Sequence, residues 1–259
     1  MNRNFHIGFL VALMMASLCP ATVFSEPAKK IQHLKNFYIS TDLALGSRAS
    51  AVIVTPLRYK SAATSVQDHI RKMTGVKLPI YNDDVMPEEV LRKSNVIALG
   101  NMATSAFIEK LYRQWYVILD LKYPGAGGYV VRSLHNPYGT GHNVIFLGGS
   151  DDAGVYEAAK VFSGELKKNR NLNVGWLMKI RLGKGLTPPI ISANLQKWNV
   201  LSWNDSRRKD ANGEITGYEP ATYFGWNPIS VAGVLYYLTG QREYLKTFKE
   251  LAMPDPQHT

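Results

Sequence analysis

The sequence predicts an α+β fold followed by a short helical segment at the carboxyl end, and three observations support this prediction. Between residues 31 and 180, short β-branched runs alternate with segments in which apolar residues recur at helical spacing. Hydrophobic residues make up 46% of the 259 residues, which suits an ordinary globular core. After a stretch rich in Gly and Pro at 183–189, two consecutive helical patterns replace the strands.

The first predicted elements are a strand, a helix and a second strand. Residues 51–54 form a β-branched run that Pro56 ends. Residues 78–81 indicate the second strand, at a sheet edge because Pro79 has no N–H for a ladder bond. Gly75 is well placed to end the helix between them. The apolar residues that define this helix are Tyr59, Ala62, Ala63, Val66, Ile70 and Met73.

A third strand and a second helix follow. Residues 95–99 indicate the strand, and Gly100 ends it. Thr104 or Ser105 can cap the helix, because either hydroxyl accepts a bond from a free N–H of the first turn. The inner face of this helix is predicted to contain Phe107, Ile108, Leu111 and Trp115.

A predicted hairpin precedes the helix that closes the domain. Residues 127–134 and 143–147 indicate paired antiparallel strands, joined by turn-forming residues at 135–142. Asp151 and Asp152 then stand where carboxylates favour the free N–H groups of a helix start. The buried stripe of that helix is predicted to be Val155, Ala158, Ala159, Phe162 and Leu166.

The carboxyl end predicts an αα-hairpin. Asn227 as the cap and Pro228 at the first helical position open one helix, which ends at Gly240. A second helix is expected over 242–252, with its apolar residues on one face. Two helices around a short Gly turn form such a hairpin.

The first 25 residues have the pattern of a secretory signal. Arg3 provides the positive start, residues 7–18 form a short apolar core, and small residues precede a cut after Ser25. The only cysteine, Cys19, lies in this segment, and Leu18 is larger than the usual residue before a lipidated cysteine. Lipid anchoring remains the alternative to cleavage. We therefore expect an exported protein, periplasmic, cell-surface or extracellular, that folds without disulfides.

The charge balance is basic, with 30 Lys and Arg against 20 Asp and Glu. Such an excess attracts anionic partners such as nucleic acid, anionic lipid or acidic polysaccharide. A solvated basic surface without a specific partner is the alternative. After residue 25, no stretch of the sequence is apolar for long enough to suggest a membrane span.

Three segments together resemble a known type of domain: 64–80 (TSVQDHIRKMTGVKLPI), 95–100 (NVIALG) and 146–159 (FLGGSDDAGVYEAA). They resemble the N-terminal domain of α-glucuronidases and the related domain that precedes the barrel in β-hexosaminidases. The resemblance covers residues 35–170. It implies helices packed on a mostly antiparallel mixed sheet. It also implies an accessory role, because the catalytic carboxylates of those families lie in a following (β/α)₈ barrel.

The predicted organisation leaves no room for such a barrel. Seventy residues follow Pro189, whereas a (β/α)₈ barrel needs about 250, so no catalytic residue is carried over. The C-terminal helices resemble the start of an (α/α) toroid, as in some polysaccharide lyases and glycosidases. The expected parts are a signal peptide at 1–25, an accessory domain at 31–182, a linker at 183–197, and an aromatic-rich segment with the αα-hairpin at 198–259, which is expected to begin an incomplete helical domain.

Candidate reactive groups outside the aromatic-rich segment have simpler explanations. Asp151 and Asp152 are interpreted as helix-capping residues, with a metal or catalytic pair as the alternative. His135 and His142 flank the predicted turn, but no third ligand is evident, so solvated loop residues are favoured over a two-His metal site. The sequence contains no P-loop, no nucleophile elbow and no His-Glu-x-x-His motif.

The segment 203–226 is the most suggestive for function, because it places aromatic side chains beside carboxylates and guanidinium groups. Aromatic rings can stack on the apolar faces of sugars, and a guanidinium can pair with a uronate carboxylate. Glu214 and Glu219 are the candidate catalytic acid/base pair. An aromatic wedge between the domain and the helices is the alternative interpretation. The candidate carbohydrate-binding residues are Trp203, Arg207, Tyr218 and Trp226.

These observations lead to one main expectation and two alternatives. The main expectation is an exported carbohydrate-active protein of glycoside hydrolase or lyase type, seen as its accessory domain and without complete catalytic machinery. The alternatives are a non-catalytic glycan-binding or scaffold protein at the cell surface, and a structural remnant without a ligand. The expected partner is a polysaccharide or oligosaccharide, including acidic, uronate-containing ones. No nucleic acid, no membrane span, no metal and no cofactor are expected.

Overall fold

The centre of the computed structural model is a six-stranded sheet with the strand order β4–β3–β5–β7–β6–β9. The structure describes residues 40–167, 171–194, 207–213, 215–218 and 228–252. The strands, in chain order, are β1 (Thr41–Leu45), β2 (Arg48–Ala49), β3 (Ala51–Thr55), β4 (Ile80–Asn82), β5 (Asn95–Leu99), β6 (Tyr129–Leu134), β7 (Val144–Gly149), β8 (Leu172–Val174), β9 (Met178–Arg181), β10 (Arg207–Lys209) and β11 (Ile215–Tyr218). The helices are α1 (Lys60–Thr74), α2 (Glu88–Lys93), α3 (Ala106–Arg113), α4 (Asp152–Glu165), α5 (Pro228–Thr239) and α6 (Arg242–Ala252).

The central sheet is parallel on one side and antiparallel on the other. Strand β3 runs parallel to β4 and β5, and β5 runs parallel to β7. Strand β6 is antiparallel to both β7 and β9. A smaller sheet, β2–β1–β8, and the β10–β11 hairpin are antiparallel throughout. Five of the eight strand pairings among the described residues are therefore antiparallel, although three of the five in the central sheet are parallel. The predicted α+β class, with helices packed on a mixed sheet, is confirmed.

Local signals in the sequence correctly mark several element ends. Gly75 adopts the left-handed conformation, with φ 75°, and its N–H bonds the Arg71 carbonyl at the end of α1. The Ser105 side chain caps α3 by accepting from the Ile108 N–H. Strand β4, which follows Pro79, lies at the edge of the sheet as predicted.

The two faces of the central sheet carry separate apolar cores, because successive side chains of a strand point to opposite faces. On one face, Ile53, Leu99 and Leu147 pack with α1, α4 and the small sheet. We call this the α1–α4 face. On the other face, Val54 and Phe146 pack with α3 and the chain that follows it. We call this the α3 face.

The predicted position of Trp115 on the inner face of α3 is wrong. The helix ends at Arg113, and Trp115 has φ 63° and is 89% exposed. The chain turns away from the helix at Trp115. This turn is held by hydrogen bonds from the Trp115 N–H to the Tyr112 carbonyl and from the Tyr116 N–H to the Leu111 carbonyl. Helical periodicity continues in the sequence beyond the point where the chain turns, so it could not locate this end.

The C-terminal helical hairpin forms as predicted. Gly240 has φ 70°, and its N–H bonds the Tyr236 carbonyl, which ends α5 before α6 begins. Leu238 of α5 packs against the core of the α3 face. All described residues belong to one compact unit.

Candidate functional site

Three parallel strands, β3, β5 and β7, end at the same edge of the central sheet. In open sheets of this kind, ligands often bind just beyond the carboxyl ends of the strands. The loops at this edge bring together Arg58, Tyr59 and Asp152, which we call the strand-end cluster. This edge is therefore the expected position of a ligand-binding site.

The strand-end cluster is internally satisfied. Arg58 donates to Asp152 Oδ2 from Nη2 at 2.6 Å and from Nε at 3.0 Å, and the Tyr59 hydroxyl donates to Asp152 Oδ1 at 2.8 Å. The bonds from Arg58, and then that from Tyr59, hold the pKa of the Asp152 carboxyl below its usual range. Burial raises the pKa of the Tyr59 hydroxyl. The carboxyl therefore stays ionised and hydrogen-bonded. This suits a structural role, in which it joins the segment after β3 to the start of α4, and not proton donation to a substrate.

The structure confirms that Asp151 is a helix-capping residue. Its Oδ1 accepts from the Gly154 N–H at 2.9 Å, at the start of α4. Its Oδ2 accepts from the Gly127 N–H at 2.8 Å, so the same carboxylate also fixes the loop before β6. Both oxygens are occupied by backbone donors, so nothing in this geometry favours the metal or catalytic alternative.

The glycines around Asp151 serve close backbone packing. A Cβ added at Gly149 would lie 2.5 Å from the Gly154 Cα and 2.8 Å from the Gly128 carbonyl oxygen. The Asn101 side chain donates to the Gly149 carbonyl at 2.9 Å, and the Gly125 N–H bonds the Ser150 hydroxyl at 2.9 Å. The phrase at 148–154 that carries the family resemblance is thus a packing and turn motif.

The two predicted loop histidines have separate surroundings. The His135 ring stacks on Trp176, with centroids 4.2 Å apart and planes 11° from parallel. His142 lines a cavity of about 470 Å³ together with Asp42, Arg48 and Lys93. Within the described part of the chain, no three His, Cys, Asp or Glu side chains are grouped as metal ligands would be.

Only two of the four candidate carbohydrate-binding residues lie within the described part of the chain. Arg207 and Tyr218 are direct partners in the register of the β10–β11 hairpin, so the fold brings these two positions together. Trp203 and Trp226, and the candidate acid/base pair Glu214 and Glu219, lie outside the described residues.

A buried arginine that the sequence did not single out holds the helical hairpin. Arg132 of β6 is 4% exposed, and its Nη2 donates to the Tyr237 carbonyl. Its guanidinium carbon lies 3.7 Å from the centroid of the Tyr237 ring, a close cation–π contact. Beside it, the Tyr123 hydroxyl donates to the Leu238 carbonyl at 2.7 Å. We call these contacts the arginine clamp.

The arginine clamp has a clear electrostatic basis. Its acceptor carbonyls belong to the last turn of α5, where unpaired carbonyls give the helix a partial negative charge. No carboxylate among the described residues pairs with Arg132, so the helix end is its main compensation. Burial raises the pKa of the Tyr123 hydroxyl, which therefore remains a donor. The sequence held one usable signal, because strand alternation places Arg132 on the same face as Val130 and Leu134.

A polar groove on the described surface runs between two neighbouring helices. It has a volume of about 450 Å³ and is lined from both α1 and α4. We call it the α1–α4 groove and define it by Ser61, Ser65, His69, Lys72, Tyr156 and Lys160. It adjoins the strand-end cluster, because the Tyr156 ring meets the Tyr59 ring edge-on at 6.1 Å.

No protein-family model matches this sequence, and a comparison with curated proteins gives no match. None of the helices among the described residues combines the length and the apolar character that a membrane crossing requires. The residues and their geometry therefore carry the functional conclusion.

Proposed function

We propose that this chain is an exported carbohydrate-active protein of glycoside hydrolase or lyase type. Its α+β part serves as an accessory domain that supports a helical part and its glycan-binding segment. Sequence resemblance to the N-terminal domain of α-glucuronidases motivates this assignment, and the mixed sheet with helices on both faces is compatible with it.

The arginine clamp is the observation that carries the proposal. A buried guanidinium on β6 bonds the end of α5 more than one hundred residues along the chain. The Tyr123 hydroxyl adds a second bond to the same helix turn. We infer that a domain that holds the next helix with a buried cation supports the chain beyond that helix.

A second candidate function is a non-catalytic glycan-binding or scaffold protein. The two carboxylates at the start of α4 favour it, because Asp152 is ion-paired and both oxygens of Asp151 are occupied by backbone N–H groups. These carboxylates are therefore committed to the fold. The candidate catalytic pair, Glu214 and Glu219, remains a prediction.

Binding to uronate-containing polysaccharide tests the glycan part of the proposal. The purified protein is run in native gels containing glucuronoxylan, polygalacturonate or no polysaccharide. We expect the acidic polysaccharides to slow the wild type, and the double variant Trp203→Ala/Trp226→Ala to bind at least roughly tenfold more weakly, because stacked aromatics dominate such contacts.

The control variant is Trp115→Ala, which removes a tryptophan that is 89% exposed and lies outside the 198–226 segment. It should migrate as the wild type does. A wild type that no polysaccharide slows, or a double variant that is slowed as strongly as the wild type, contradicts glycan binding through this segment. Release of reducing or unsaturated sugar ends, lost in Glu214→Gln and Glu219→Gln, would select the enzyme over the scaffold.

A further inference from the structure

The α1–α4 groove has a low floor between raised polar walls. Its floor is formed by Ala62 and Ala159, each 4% exposed, so the helices meet there without filling the space above. Hydroxyl groups line the walls, from Ser61 and Ser65 on α1 and from Ser163 on α4. A volume of about 450 Å³ is within the range of small-ligand sites.

The groove has a net positive charge that the fold does not neutralise. Lys72 on one wall and Lys160 on the other form no ion pair with another described residue. The single carboxylate in the lining, Asp68, is paired with Arg71 at 3.2 Å. The imidazole of His69 also lines the groove. The two ammonium groups are therefore available to an anionic ligand.

Tyr156 gives the groove an aromatic surface that is already held in place. Its hydroxyl lies 3.0 Å from the Ser61 hydroxyl, and its ring packs edge-on against Tyr59 at an interplanar angle of 81°. The side chain nevertheless remains 43% exposed. An aromatic ring fixed at both ends and open to solvent loses little conformational entropy when a ligand packs on it.

We propose that the α1–α4 groove binds a short acidic oligosaccharide, with uronate units as the ligand class. The Tyr156 ring packs against the apolar face of a sugar ring, the serine hydroxyls bond its hydroxyls, and Lys72 and Lys160 pair with carboxylates on neighbouring units. The inference rests on the proposed glycan function and adds a second site outside the 198–226 segment. Lysine acts as a point charge, so sulfated sugars share the same chemistry and form a separate arm of the test.

Calorimetric titration with defined oligosaccharides tests the site. The ligands are tetragalacturonate, its neutral methyl ester and a sulfated tetrasaccharide. We expect Lys72→Gln/Lys160→Gln to weaken tetragalacturonate binding about tenfold, because two partly exposed charge pairs are lost. The methyl ester should bind the wild type and this variant equally weakly. Raising the salt concentration should weaken only the binding of the charged ligands.

The matched control is Lys122→Gln/Lys184→Gln, which removes the same net charge from exposed positions outside the groove. Its affinity should stay within about twofold of the wild type. Equal weakening in both double variants would show a general effect of net charge and overturn the site. Tight binding of the sulfated ligand alone would overturn the uronate assignment.

The Trp203→Ala/Trp226→Ala variant separates this inference from the proposed function. If that variant loses tetragalacturonate binding while the groove variant keeps it, the groove is not the site and the proposed function stands. If the wild type is slowed by acidic polysaccharide but does not bind the tetrasaccharide, the groove inference also fails alone. If the wild type binds neither, both fail.

Discussion

On the α1–α4 face of the central sheet, apolar side chains and closely packed glycines close the core. On the α3 face, a buried cation and a buried hydroxyl take part in closing it. The first closure joins helices to strands that are near them in the chain, through Val155, Ala158 and Phe162. The second joins β6 to the end of α5, through Arg132 and Tyr123.

The difference teaches which face depends on shape and which on electrostatics. Where Gly149 and Gly154 touch, an extra carbon has no space, and no rearrangement of a flexible side chain can provide it. At the arginine clamp, several side chains could occupy the same volume, but only a cation matches the end of α5. Substitutions on the α1–α4 face should therefore destabilise the whole fold. Substitutions at the arginine clamp should release the helical hairpin.

The largest expected effect is on the α1–α4 face, at Gly154. A Cβ there would overlap the Gly128 carbonyl, so Gly154→Ala should lower the free energy of unfolding by about 3 kcal/mol or more. Urea denaturation followed by circular dichroism measures the change.

Gly164 in the same helix is the matched control. Among the described residues, no atom outside the adjoining backbone of α4 and its neighbouring residues lies within 4 Å of a Cβ built at Gly164. Gly164→Ala should therefore stabilise the helix by about 0.5–1 kcal/mol, through backbone entropy. Equal effects of the two substitutions would show that close packing is not what Gly154 provides.

The next effect is expected at the arginine clamp. Arg132→Met keeps most of the side-chain volume but removes the charged bond and the cation–π contact, together about 2 kcal/mol. Because the carbonyls of α5 lose their partner, amide exchange in 228–239 should speed up roughly tenfold or more, while exchange in β5 and β7 stays slow. Hydrogen exchange read by mass spectrometry separates the two segments.

Arg132→Lys is the conservative variant for this experiment. It keeps a positive charge near the end of α5 but loses the planar group that lies over Tyr237. An intermediate exchange rate is expected. Equal loss of protection in the sheet and in α5 after Arg132→Met would mean that the clamp supports the whole domain, and the contrast between the faces would disappear.

A smaller effect on the same face is expected for Tyr123→Phe. The substitution removes only the bond from the hydroxyl to the Leu238 carbonyl, so the free energy of unfolding should fall by about 1 kcal/mol. In the double variant with Arg132→Met, the loss of unfolding free energy should be smaller than the sum of the losses in the two single variants, because both groups bond the same helix turn. Strict additivity in a double-mutant cycle would show that the two contacts act independently.

The sequence predicted what depends on local chemistry. The left-handed end at Gly75 was identified, and the caps Ser105 and Asp151 were each among two adjacent candidates, because each feature involves residues within a turn of one another. The closing helix and the hairpin before it followed from periodicity and turn residues.

The sequence did not predict what depends on distant partners. The small sheet was missed because β2 and β8 are short and β8 lies more than one hundred residues beyond β1 in the chain. Arg132 was missed because a single charge in a strand normally faces solvent, although strand alternation places this one on the same face as Val130 and Leu134. The α1–α4 groove was missed because its walls come from helices whose outer residues have an ordinary polar pattern.

The smallest effect is expected at Asp152, on the rim of the α1–α4 face, and it is a dependence on pH. Arg58 lowers the pKa of this carboxyl in the folded state. The group therefore adds stability above the ordinary aspartate pKa of about 3.9, and that stability is lost as the pH falls through the lower folded value. Asp152→Asn should thus be less stable than the wild type at pH 7, and the difference should shrink as the pH is lowered below about 3.9. Urea midpoints at pH 7 and at a strongly acidic pH measure this. The difference at pH 7 should be small because both partners are partly exposed and screened by salt. A difference that stays the same at both pH values would show that Asp152 acts through packing, as Gly154 does, and not through its charge.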